Sequence, residues 1–118
     1  MELAEVEVIP HAVAPIIRIR GEIDLSNTVS IRAALIEAVP HSGPGIVLDL
    51  TETTYLDSSG VRLLFDMAER LQARRQRMVL VVTQQALVRR VLVLTKLDDA
   101  VPLHETVDDA LAALSPGF

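Results

Sequence analysis

The stretch Thr54-Tyr55-Leu56-Asp57-Ser58-Ser59-Gly60-Val61-Arg62-Leu63-Leu64 decides how the rest of the chain is read. Ahead of it, Ile46-Val47-Leu48-Asp49-Leu50 is a short apolar run of the kind that fills a central strand covered on both faces. Behind it, Val61, Leu64, Phe65, Ala68 and Leu71 recur at i, i+3, i+4, i+7 and i+10, which marks one buried face of a helix. Asp57-Ser58-Ser59-Gly60 therefore occupies a strand-to-helix turn. A helix start leaves backbone N–H groups unpaired and carries the positive end of the macrodipole. Two hydroxyls held there make a suitable place for a serine that receives or releases a phosphate.

Only one residue can be the N-cap of that helix. If a serine caps it, the other hydroxyl is left over; if Asp57 caps it, both are free. On base rates a serine at a helix start is structural more often than chemical. As a hydrolytic nucleophile neither serine is supported, because no Gly-x-Ser-x-Gly elbow surrounds them. His11, His41 and His104 all fall at turns or element boundaries, with no motif tying them to the serines. Asp24, Asp49 and Asp57 invite comparison with an acidic phospho-acceptor pocket. The chain lacks that fold's alternation of strands and helices, however, and solvated strand-end carboxylates are the stronger reading. The same carboxylates have no diagnostic metal spacing, and neither metal nor cofactor is expected.

Composition narrows the class. At 118 residues the chain is expected to be one domain, spanning 1–118. Hydrophobic residues make up 50% of it and aromatics only 3%, so its core has to be aliphatic. Cysteine is absent, which removes disulfides, thiolate chemistry and cysteine-based zinc sites. No signal peptide or long apolar span is evident, and a soluble, cytoplasmic protein off the membrane is expected. The net charge is −5, and Arg70, Arg74, Arg75 and Arg77 form the only basic cluster. That argues against direct nucleic-acid binding. The cluster reads most simply as a solvated helix end, with an acidic patch on a partner as the alternative.

Taken in order, Glu2 to Ile9 alternates as a half-solvated edge strand, Pro10-His11-Ala12 turns, and a second strand ends at Gly21, completing a hairpin. Gly21-Glu22-Ile23-Asp24 then leaves the sheet, and Asp24 or Ser26 caps a helix running to about Val39. Thr28, Ile31, Leu35, Ala38 and Val39 form its core stripe. Val29, Ala33 and Ile36 lie on a neighbouring face, read first as a wider buried face and second as a partner or dimer surface, so the chain is expected to be a monomer or weak dimer. Met78 to Val82 is another buried strand, and Thr83 caps a helix with Leu87, Val91 and Leu94 on one side and Val88 and Leu92 close by. Ala100 to Leu103 allows only an edge strand because of Pro102. Thr106 to Asp109 spaces like a capping box ahead of Val107, Ala110, Leu111 and Leu114. The order β-β-α-β-α-β-α-(β)-α gives an α/β fold: a mixed sheet with an N-terminal hairpin, later strands parallel, and about four helices.

Gly21-Glu22-Ile23-Asp24, Leu48-Asp49-Leu50-Thr51 and Tyr55-Leu56-Asp57-Ser58-Ser59-Gly60-Val61 together resemble a STAS domain of the bacterial anti-sigma factor antagonist type, over nearly the whole chain. The resemblance implies a non-enzymatic partner switch. Unphosphorylated, such a protein binds an anti-sigma factor, often a serine kinase; phosphorylation of the serine matching Ser58 ends binding, and a phosphatase restores it. By the same resemblance Asp24 matches a position used in partner binding or phosphorylation, and Glu22, Asp57, Ser59, Gly60 and Arg62 are expected to form the partner-binding region with it. Two positions depart from the family pattern. Arg62 stands where many antagonists have Gly, which changes the binding face, and Lys96 stands where Gly commonly ends a helix. An alternative use of the fold is a STAS regulatory subunit of an ABC-type lipid or solute transporter, with Ser58 as a contact.

Overall fold

The computed structural model describes residues 4–115. Strands β1 (Glu5–Ile9) and β2 (Ile16–Ile23) form the expected antiparallel hairpin, with Glu5 opposite Arg20 and Ile9 opposite Ile16. Helix α1 (Thr28–Ala38) leads to β3 (Gly45–Asp49), β4 (Thr53–Leu56) and α2 (Ser58–Ala73). Then come β5 (Arg77–Val81), α3 (Leu87–Leu94), a short 3-10 turn at Leu97–Asp99, β6 (Leu103–His104) and α4 (Val107–Leu114). The sheet runs β1-β2-β3-β5-β6, and every pairing after the hairpin is parallel.

Alternation along β3 and β5 explains the two layers. Ile46, Leu48, Met78 and Leu80 join the large core with residues of α1, α2 and α3, while Val47, Val79 and Val81 meet Ala110, Leu111 and Leu114 of α4. All five residues of β3 are buried, as a doubly covered strand requires. Helix α2 buries Val61, Leu64 and Leu71 as its spacing indicates, and Leu63 and Met67 as well. Its apolar face is thus wider than one stripe. Thr106 caps α4 through a bond accepted from the Asp109 N–H at 3.1 Å. No helix of the described residues is long and apolar enough to cross a membrane.

Several local expectations are corrected. The segment Gly21-Glu22-Ile23 stays in the sheet, because β4, four residues read only as the approach to the turn, pairs with it: Glu22 opposite Tyr55 and Ile23 opposite Leu56. Helix α1 starts at Thr28 with Asn27 in the N-cap position, so neither Asp24 nor Ser26 caps it, because Asp24 to Asn27 folds into a turn of its own. Helix α3 starts at Leu87, since Thr83 accepts a turn bond from the Ala86 N–H and caps nothing. Of the second apolar face of α1, Ile36 is half-buried against the core while Val29 is 81% exposed and Ala33 is exposed, so the face is buried at its Ile36 end only. Asp49 is no solvated carboxylate either. It is 1% exposed and accepts a 2.9 Å bond from Arg18 Nε and two from Thr51. That bond with Asp49 is the main cause pushing the Arg18 guanidinium pKa up, against the opposing effect of desolvation.

Lys96 follows the last residue of α3's cap in left-handed backbone, with φ 62°. A side chain there costs about 1 kcal/mol that glycine does not incur. Lys96→Gly is expected to stabilise the fold by about 0.5–1 kcal/mol, read as a higher midpoint in urea with an unchanged slope.

Candidate functional site

The parallel strands β2, β4 and β5 all end on one side of the sheet, and the loops that leave them carry the polar groups singled out above. Asp57 is the N-cap of α2. Its Oδ1 accepts the Gly60 N–H at 3.1 Å, which places Ser58 and Ser59 in the first two helical positions with no capping duty. Among the described residues, neither hydroxyl has a hydrogen-bond partner. Ser58 is exposed and Ser59 half-buried, so only Ser58 combines a free oxygen with full access from outside. Gly60 is buried under the turn. A Cβ there would sit 2.3 Å from Leu56 Cδ1 and 3.2 Å from the Ile23 carbonyl oxygen. It offers the outside almost no surface and sets how closely α2 approaches β2 and β4.

The other oxygen of Asp57 accepts the Leu25 N–H at 3.3 Å, and the Asp57 N–H donates to the Ile23 carbonyl. These two bonds tie the serine turn to the β2–α1 loop. Within that loop Asp24 accepts from the N–H and hydroxyl of Ser26, while buried Asn27 accepts from the Asp24 N–H and donates to the Glu22 carbonyl. Asp24 and Asp57 thus flank one rim, three decades of sequence apart. Glu22 is exposed beside Tyr55 on the adjoining strands, and Arg62 is exposed one turn into α2. The structure therefore gathers the predicted residues about one end of the sheet, apart from Gly60, which supports from beneath.

Residue spacing did not single out the apolar part of this rim. Leu25, in the turn tied to Asp57, is 77% exposed, and Val29, in the first turn of α1, is 81% exposed. Exposed leucine at a loop next to a free hydroxyl is a surface that gains by being covered. The signal available in sequence was the surplus of apolar residues at the start of α1. No group of acidic and histidine residues that could hold a metal ion occurs among the described residues.

The comparisons agree with this geometry. Residues 4–110 match the STAS domain model. The chain is 30% identical over 112 residues to the anti-sigma-F factor antagonist RsfB of Mycobacterium tuberculosis, covering 95% of this chain and 90% of that protein. The crystal structure of an anti-sigma factor antagonist from Mycobacterium paratuberculosis superposes with a TM-score of 0.84 at 31% identity, over 95% of this chain and 94% of that one. The Bacillus cell fate determinant SpoIIAA in its phosphorylated form has the same fold, with a TM-score of 0.67 at 23% identity over 96% and 100% of the two chains. A serine turn at the carboxyl end of a mixed sheet, a match over nearly all the described residues and a relative alike across its length have one explanation: the chain belongs to the STAS domain family, among the anti-sigma factor antagonists.

Proposed function

We propose that this protein is a cytoplasmic partner switch that binds an anti-sigma factor through the Ser58 rim and is released when that factor, acting as a serine kinase, phosphorylates Ser58. A phosphatase returns it to the binding state. The observation that carries this reading is the division of labour in the turn: Asp57 does the capping, leaving an exposed serine hydroxyl with no structural task at the positive end of a 16-residue helix. The relatives' names supply the class of partner, and SpoIIAA shows that a protein of this fold exists with a phosphate attached.

Helix geometry makes the modified state compatible with the fold. A phosphate on Ser58 lies at the N-terminus of α2, where unpaired N–H groups and the dipole favour it. What changes is the surface. About −1.5 to −2 charge is added to a rim that already holds Asp57 and Asp24 beside exposed Leu25. The protein itself needs no catalytic group in this scheme; the kinase supplies the chemistry. Incubation with a cognate anti-sigma factor kinase and ATP is expected to add one phosphate per chain. Ser58→Ala should abolish it and Ser59→Ala should retain it, both read by intact-mass spectrometry. Phosphate on the Ser58→Ala protein would refute the assignment.

A further inference from the structure

Helix α3 presents a second unpartnered surface. Its buried side is Val88 and Leu92, with Val91 half-buried, and these pack against β4 and the turn that follows. The residues expected to share one buried side are therefore split. Leu87 and Leu94, seven positions apart on the same stripe, are 71% and 75% exposed, and Val93 is 44% exposed. Arg90 is exposed between the two leucines and Arg89 lies half-buried beside it, and among the described residues neither forms an ion pair. A groove of about 460 Å³ runs along this side, lined by Leu87, Arg89, Arg90, Val93 and Leu94 together with the residues just before the helix.

We infer that this face of α3 is the second half of the anti-sigma factor contact, and that it takes a partner helix whose apolar residues alternate with carboxylates. The inference rests on the proposed function and names the chemistry of the partner surface. Three observations support it. The first is spacing: Leu87 and Leu94 are exposed two turns apart on one stripe, so a partner helix packed along α3 buries both. The second is charge, since two unpaired arginines on a chain of net charge −5 select an acidic complement. The third is continuity. β4 and β5 are both parallel to β2 or β3, so the loop entering α3 leaves the same end of the sheet as the Ser58 turn, and α3 packs on the strand that leads to that turn.

A second copy of this chain is the competing occupant, and the residue pattern disfavours it. Antiparallel pairing of α3 with itself would set Leu87 against Leu94 and vice versa, but it would also put the twofold axis between positions 90 and 91, leaving the two Arg90 side chains next to each other at the centre of the contact. A self-complementary interface cannot avoid that repulsion.

The test measures binding of the unphosphorylated protein to the anti-sigma factor by calorimetry at two salt concentrations. The variants are the pair Arg89→Glu/Arg90→Glu and the pair Leu87→Ser/Leu94→Ser. All four positions are at least partly exposed, and thermal melts verify that the variants fold. The arginine pair is expected to weaken binding at least tenfold and to flatten its salt dependence. The leucine pair should weaken it at least tenfold at either salt concentration. Wild-type affinity in both variants, with Ser58→Asp still impaired, would overturn the α3 assignment and leave the partner switch standing. No binding by the wild-type protein would overturn both. A wild-type dimer in sedimentation that the leucine pair dissociates would assign the face to a second copy and likewise overturn the inference.

Discussion

Phosphate on Ser58 is expected to weaken the complex with the anti-sigma factor about a hundredfold, a penalty of about 3 kcal/mol. The rim is already acidic: Asp57 spends both carboxylate oxygens on N–H groups of Gly60 and Leu25, and Asp24 lies in the loop that Leu25 belongs to. Covering this surface with a partner removes water from it, and a dianion that keeps its water in the free protein would lose it in the complex. The helix start compensates the charge within the free protein, so the fold should not change. Calorimetry of the two forms against the same partner gives the ratio, and far-UV circular dichroism should superimpose. Ser58→Asp adds at most one charge without the phosphate's volume and should show a smaller loss. An equal affinity of phosphorylated and unphosphorylated protein would sink the switch.

Gly45→Ala should cost about 4 kcal/mol and lower the melting temperature by about 15 °C. Gly45 opens β3 with φ 143°, a backbone region closed to other residues, and pairs in register with Arg77 of β5. A Cβ there would fall 1.7 Å from the Arg77 carbonyl oxygen and 2.7 Å from its carbonyl carbon and nitrogen. Those atoms belong to the ladder itself, in which the Arg77 N–H also donates to the Pro44 carbonyl at 2.9 Å. They cannot retreat without opening the two most buried strands. Gly43, two residues earlier, also has positive φ, yet a Cβ there meets nothing within 4 Å. Gly43→Ala should therefore cost clearly less, and equal losses at both positions would show that backbone strain rather than the close approach decides.

Helix α2, the doubly covered β3 and the N-terminal hairpin were legible because each is written in a local period. Leu48 and Val61 need only their near neighbours to declare a strand and a helix. The serine turn was legible for the same reason: it lies where one period stops and the other begins. Strand β4 was not legible, since Thr53-Thr54-Tyr55-Leu56 shows no clean alternation and is a strand only because the end of β2, thirty residues earlier, offers it a free edge. The same long-range pairing kept Glu22 and Ile23 in the sheet.

By itself the amino-acid sequence determined the fold class, the aliphatic core and the position of the Asp-Ser-Ser-Gly turn, because periodicity, composition and helix-start chemistry act over a few residues. Tertiary structure alone decided that Asp57 is the cap and Ser58 the free hydroxyl, that Asp49 is buried against Arg18, and that Leu25, Leu87 and Leu94 face outward. The capping bond itself is local, but the bonds from Leu25 and to Ile23 that hold Asp57 in place, and each of the other outcomes, depend on which distant segment arrives to take a hydrogen bond, a charge or an apolar face, and that is a property of the packed chain.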